Sequence, residues 1–261
     1  VPYSADSPRC AVDATVGATV GLLEACRRGK GIEKIVVISS LSVYGRQETQ
    51  PIPEDVPLRP STVYGAVKAA QEMVALSYFR SFGLPIVIVR IATTYGEAAR
   101  STLPVSFFLR RAIRGETIVV SGDGLQTRDM NYVGNTTSGL LLALSHGRPG
   151  EVYNLGSGEE ITILDFARRC VDDVPGTWSK IVHGPPRTGE EGRLLLDISK
   201  ARSDLGYSPA VGVAEGLRRT ATWFMERYGR PCGPCHDGAA RVGMDHTYGE
   251  GTIPCTARRT V

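Results

Sequence analysis

The chain has 261 residues, 42% of them hydrophobic, enough to bury a substantial core as one large domain or two small lobes. Thirty Lys plus Arg against 27 Asp plus Glu leave a formal charge of +3 with no block of like charges, which gives no basis for nucleic-acid binding. The longest apolar run near a helix, residues 139–144, falls far short of the roughly 20 residues that span a bilayer, so no membrane insertion is expected.

Residues 1–10 lack both an initiator Met and the basic-then-apolar pattern of a secretory signal, and read as a start in mid-protein. Apolar residues recur at helical spacing over 17–29, which ends in a basic, glycine-terminated turn; residues 34–39 then read as a short buried strand. Four prolines and mixed charges make 46–62 a surface loop. A helix follows over 61–82, then a continuous apolar strand over 85–91, of the kind covered on both faces in a parallel sheet. The pattern continues with helix 103–115, strand 117–122, helix 135–147, strand 151–157, helix 161–174, strand 179–184 and helices 198–206 and 213–229. This alternation predicts an α/β fold with a mostly parallel sheet. Cys10, Cys26 and Cys170 are scattered singly and read as reduced, intracellular thiols, so a cytoplasmic location is expected.

An open parallel sheet binds its ligand beyond the carboxyl ends of its strands. The first strand ends in Ser39, Ser40 and Ser42, and Tyr64 and Lys68 follow, one turn apart on one helix face. Tyrosine is a poor base at neutral pH, but a nearby ammonium favours its phenolate, and a serine hydroxyl beside it can hold a substrate oxygen for proton transfer. A lone Tyr-x-x-x-Lys is equally an ordinary amphipathic pair. Three features favour the functional reading: lysine is scarce, with five in the chain; residues 65–70 are mostly small; and the serine cluster ends the preceding strand. Read alone, Arg128 and Arg187 are solvated surface charges, Arg128 within a Gly-rich turn that looks like an exposed hairpin.

Several segments occur in an order that resembles the extended short-chain dehydrogenase/reductases acting on nucleotide sugars, the UDP-glucose 4-epimerase type. They are VPYSADSP, SSLSVYG, YGAVK, RIATTYG, VVSGDGLQTRDMNYV, VYNLGSGE and PRTGEEGRLLLDISKARSDLGY, spread over residues 1 to 230. The resemblance implies a partial doubly wound, Rossmann-like parallel sheet with a smaller interleaved C-terminal substrate lobe. Residues 1–100 would be the second half of the dinucleotide-binding domain, and 101–230 mainly the substrate lobe, with 133–157 returning to the sheet. NAD is the implied cofactor, although NAD and NADP are not separated by these residues. Ser40, Tyr64 and Lys68 would be catalytic, and Ser39, Tyr64, Lys68 and Ala92 would meet the cofactor. Ser40, Thr93, Val119, Val120, Arg128 and Arg187 would surround the nucleotide sugar, the arginines suiting its diphosphate. A homodimer through a four-helix interface that includes the Tyr64–Lys68 helix is also implied.

Members of this family that eliminate water, or handle a carboxylated sugar, resemble one another in placing Asp or Glu just after the catalytic hydroxyl; here those positions are Leu41 and Ser42. An epimerase cycle needs only that Tyr64 take a hydroxyl proton while NAD takes a hydride, that the keto sugar turn over, and that the hydride return to its other face. A UDP-hexose 4-epimerase is therefore expected, with a keto-sugar reductase or dehydratase of the same family as one alternative. A non-catalytic homologue that binds a nucleotide sugar or a partner protein is the other.

The chain also departs from the family. Nothing in it matches the opening strand, G-x-x-G-x-x-G turn and helix that hold the cofactor pyrophosphate. Roughly 70–80 residues, about three βα units, are expected upstream, and these residues alone should bind dinucleotide weakly or not at all. Thr15 and Thr93 stand where the family usually has Asn, and Gly134 and Asn135 where an acidic pair is usual. Residues 231–261 have no counterpart in the family. Cys232, Cys235 and His236 match a haem-attachment pattern and, with Cys255, offer four zinc ligands. Haem attachment needs export, and no second Cys-x-x-Cys supports zinc, so no metal is expected; the segment reads as a disordered extension with a redox-labile thiol pair.

Overall fold

The computed structural model describes residues 2–100, 103–186 and 192–229; Arg187 and the cysteine-rich segment 231–261 lie outside them. Two short helices, α1 (Pro2–Asp6) and α2 (Pro8–Val12), lead through one π-helical turn (Asp13–Gly17) into α3 (Ala18–Arg28). Strand β1 (Ile35–Ser40) ends in a 3₁₀ turn (Leu41–Val43) and is followed by α4 (Val63–Phe82), β2 (Ile86–Ile91), β3 (Thr93–Tyr95) and α5 (Pro104–Arg114). Next come β4 (Ile118–Ser121), β5 (Thr127–Tyr132), α6 (Val133–His146), β6 (Val152–Leu155), β7 (Glu160–Thr162) and α7 (Ile163–Asp172). Strands β8 (Ile181–Gly184) and β9 (Arg193–Leu194) and helices α8 (Ser199–Leu205) and α9 (Val213–Tyr228) complete the described chain. No helix among the described residues is long and apolar enough to cross a membrane.

Strands β1, β2 and β6 form a parallel sheet in that order, with Ser40 beside Ile91 and Ile91 beside Leu155. Their carboxyl ends are thus aligned at one edge. The continuous apolar pattern of β2 has its expected cause. Ile86 and Ile88 pack with Leu23 and Ala75 on one face, and Val87 and Val89 with Tyr153, Leu155 and Ala143 on the other. The second lobe gathers β3, β5, β7 and β9, the β4–β8 pair and helices α5, α7 and α9 around a separate core that includes Phe108, Phe166, Leu217 and Phe224. Helix α6 and β6 carry the chain back to the first sheet.

The hairpin reading around Arg128 is corrected. The turn at Gly122 and Gly124, with φ of +63° and +74°, joins strands that do not pair: β4 lies beside β8, and β5 beside β3, β7 and β9. Strand β5 has no apolar alternation because it buries Asp129 and Asn131 on side-chain hydrogen bonds.

Helix α4 positions the site. The Thr62 hydroxyl caps its first turn by accepting from the Gly65 amide, and Gly83, at φ +68°, ends it. A Cβ on Gly65 would lie 2.3 Å from the Ser42 carbonyl oxygen, so the glycine lets the helix rest on the turn after β1. One turn beyond Lys68, Glu72 is 1% exposed and accepts from the Arg90 guanidinium of β2, itself 5% exposed. Arg90 also donates to Tyr44 Oη and the Glu54 carbonyl. The pair ties helix, sheet and the long loop together.

Removing one charge of a buried pair strands the other, so Glu72→Gln is expected to lower stability by about 3–5 kcal/mol in chemical unfolding. A loss under about 1 kcal/mol would contradict the buried tie. For Gly65→Ala the ordinary helix gain of about 1 kcal/mol is set against an overpacking cost of about 1–3 kcal/mol on rigid backbone. Net destabilisation is the expected result, read as a lower midpoint of unfolding.

Candidate active site

Ser40 ends β1, and its oxygen is fixed by the turn that follows: the Ser42 amide donates to Ser40 Oγ at 3.2 Å, and the Ser40 hydroxyl donates to Ser42 Oγ at 3.3 Å. Tyr64 is the second residue of α4 and is partly exposed. Lys68, one turn on, reaches back to the sheet. Its ammonium donates to the Ile38 carbonyl at 2.5 Å, and to Gln71 Oε1 at 2.5 Å. Gly65 on the Ser42 carbonyl and Lys68 on the Ile38 carbonyl therefore bring the start of α4 onto the last residues of β1. Burial pulls the Lys68 ammonium below the ordinary lysine range, and the Glu72 carboxylate opposes that pull.

The other expected residues fall into two groups. Ala92 is buried and Thr93 half-buried just past the end of β2, at the same sheet edge as Ser40. Val119 is 42% exposed on β4 and open to a ligand, whereas Val120 is fully buried in the second core. Strand alternation sends these neighbours to opposite faces, so the Val120 side chain cannot line a pocket. Ser39 is also buried; its Oγ has no hydrogen-bond partner among the described residues, and its side chain shares a face with Val37 towards α4 rather than opening on the edge.

Arg128 sits on β5 between β7 and β9 and donates to the Thr127 carbonyl at 2.7 Å. Its neighbour Asp129 carries the structural load. It accepts from the Ser157 amide and hydroxyl at 2.7 Å each, which holds the strand bearing Arg128 against the end of β6. Burial pushes the Asp129 carboxyl up to about 6 despite those bonds. Asn135, where the resemblance implied an acidic residue, is buried and donates to Asn131 Oδ1 and the Val211 carbonyl. That position here serves the interior.

Two residues escape a reading by spacing. Gln71 grips Lys68, and its own partner Thr19 lies 52 positions away. The π-turn at Asp13–Gly17 sets the backbone there, and it contains Thr15. Thr15, Thr19, Lys68 and Gln71 line an open groove of about 380 Å³ between α4 and the start of α3. Among the described residues, no group of three His, Cys, Asp or Glu could hold a metal ion.

A family model described as GDP-mannose 4,6 dehydratase matches residues 1–220. The dTDP-glucose 4,6-dehydratase of Streptomyces antibioticus is 34% identical over 241 residues, 90% of this chain and 72% of that protein. DesIV, the dTDP-glucose 4,6-dehydratase of Streptomyces venezuelae, crystallised with NAD and TYD bound, is 31% identical with a TM-score of 0.82, covering 88% of this chain and 71% of that one. UDP-glucose 4-epimerase from Thermotoga maritima, crystallised with UDP-glucose, is 29% identical with a TM-score of 0.82, covering 87% and 74%. The chain spans between 61% and 74% of the length of such relatives. Sequence match and shared fold agree, and the chain belongs to the GDP-mannose 4,6 dehydratase family, whose members are NAD-dependent nucleotide-sugar epimerases and dehydratases.

Proposed function

We propose that this chain carries the acid–base apparatus of an NAD-dependent nucleotide-sugar epimerase of the UDP-hexose 4-epimerase type. The observation that carries the reading is the pair of residues after Ser40. Leu41 is 5% exposed and packs in the core, and Ser42 donates its amide to Ser40 Oγ while its own oxygen accepts from the Ser40 hydroxyl. Elimination of water calls for added acid–base groups at that place, and neither residue is one. Inverting a hydroxyl-bearing carbon needs only one group that removes and returns a proton.

Lys68 fits a cofactor ribose: an ammonium has three donors, two of them are used on Ile38 and Gln71 among the described residues, and the third would serve a ligand hydroxyl or the Tyr64 oxygen. When bound, NAD supplies reversible hydride acceptance at the sugar carbon. Tyr64 would take the proton of the sugar hydroxyl as phenolate, supported by Lys68, and give it back after the sugar has turned. Ser40 Oγ, held by the Ser42 amide, would keep that hydroxyl in line. Val119 and Arg128, with Arg187, would meet the nucleotide. The 34% identity to a dTDP-glucose 4,6-dehydratase supports a second reading, water elimination, in which the acid must come from elsewhere in the cleft.

The test is turnover of UDP-, GDP- and dTDP-hexoses by the full-length protein supplied with NAD. The C4 epimer of a UDP-hexose is the expected product; a 4-keto-6-deoxy sugar would establish the second reading instead. Tyr64→Phe is expected to retain NAD and to lose about 10²-fold or more in kcat. Undiminished turnover in that variant would remove Tyr64 from the mechanism.

A further inference from the structure

Lysine carries its charge on a flexible four-carbon stem, and Lys68 borders an open groove of about 380 Å³, so its neighbours on that side do not confine it. Something must hold it at the end of β1. One anchor is the Ile38 carbonyl; the other is Gln71, whose orientation the chain also dictates. The Thr15 carbonyl can only accept, so it takes the Thr19 hydroxyl proton, at 2.7 Å. The Thr19 oxygen is left to accept, and it does so from Gln71 Nε2 at 2.8 Å. With its nitrogen turned to Thr19, the Gln71 carboxamide must present its oxygen to Lys68, as it does at 2.5 Å. The polarity of one backbone carbonyl, in the π-turn Asp13–Gly17, is thereby passed through two side chains to the ammonium.

Resting on the epimerase reading of the site, we infer that Gln71 is a positioning residue for Lys68. The Thr15–Thr19–Gln71 chain, with the Ile38 carbonyl, fixes two of the three ammonium donors and so aims the third. The ammonium then meets its ligand without first having to be ordered. A bare tie between α3 and α4 is met by the Gln71–Thr19 bond alone; the positioning role also needs the bond from Lys68 to Gln71 Oε1.

Three variants of the full-length protein separate the two roles. Gln71→Met keeps length and removes the acceptor, Gln71→Glu keeps an acceptor for Lys68, and Thr19→Val frees Gln71 to turn. Reductive methylation of the five lysines, read by mass spectrometry, reports on Lys68 without any need for activity. Lys68 labelling is expected to rise several-fold over the other four in Gln71→Met and in Thr19→Val, and to stay at or below the wild-type level in Gln71→Glu. In turnover, Gln71→Met should lose about tenfold or more in kcat with KM for the nucleotide sugar little changed, and Gln71→Glu should recover most of it. Unchanged Lys68 labelling in folded Gln71→Met and Thr19→Val would overturn the inference. Should the wild-type protein turn over no nucleotide sugar, the epimerase reading fails while the labelling still decides the role of Gln71.

Discussion

The site depends on one close contact: a helix that rests its first turn on the backbone of a strand end. The Ser42 carbonyl occupies the place a side chain at position 65 would fill, and only glycine permits it. From that contact follows the rest of the geometry. Tyr64 precedes the contact and Lys68 follows it by less than a turn, so both lie at the carboxyl end of β1, where Ser40 ends the strand. The helix is held there by two ties of different kinds, the Lys68 bond to Ile38 and the buried Glu72–Arg90 pair, while the Thr62 cap closes its first turn. Small residues make the approach possible, and charges make it specific.

The buried pair also explains why a charged strand residue belongs in an otherwise apolar β2. Arg90 donates to Glu72, Tyr44 and the Glu54 carbonyl, and Tyr44 donates on to Asn154 of β6. A single guanidinium thus satisfies polar groups from the helix, the long loop and, through Tyr44, the third strand. A charge so buried is costly unless every donor is used, and its removal strands its partners. The carboxyl edge of the sheet is held in register from beneath while its upper rim stays available for chemistry.

The strand and helix that frame the site were legible because their cause is local. A continuous apolar run predicts a doubly covered strand, and β2 is one; Tyr64 and Lys68 at helical spacing predict a shared face, and α4 provides it. What escaped is what depends on distant partners. Strand β5 hides behind polar residues that are buried only because Ser157, Thr136 and Tyr207 reach them from elsewhere. Nothing local in the sequence marks Gln71, because Thr19, the residue that turns it towards Lys68, lies 52 positions away. Val119 and Val120 were both expected to meet a ligand, but a strand offers its faces alternately and buries one of them.

Two enzyme chemistries share this scaffold, and the proposed epimerase reading rests on the residues after Ser40, a buried leucine and a serine hydrogen-bonded to Ser40. The decisive measurement is the fate of deuterium placed at C4 of a UDP-hexose, followed by NMR after incubation with the full-length protein and NAD. An epimerase of this kind returns the label to C4 on the opposite face, with no loss of water from the sugar. Deuterium recovered at another carbon of a dehydrated sugar would contradict it.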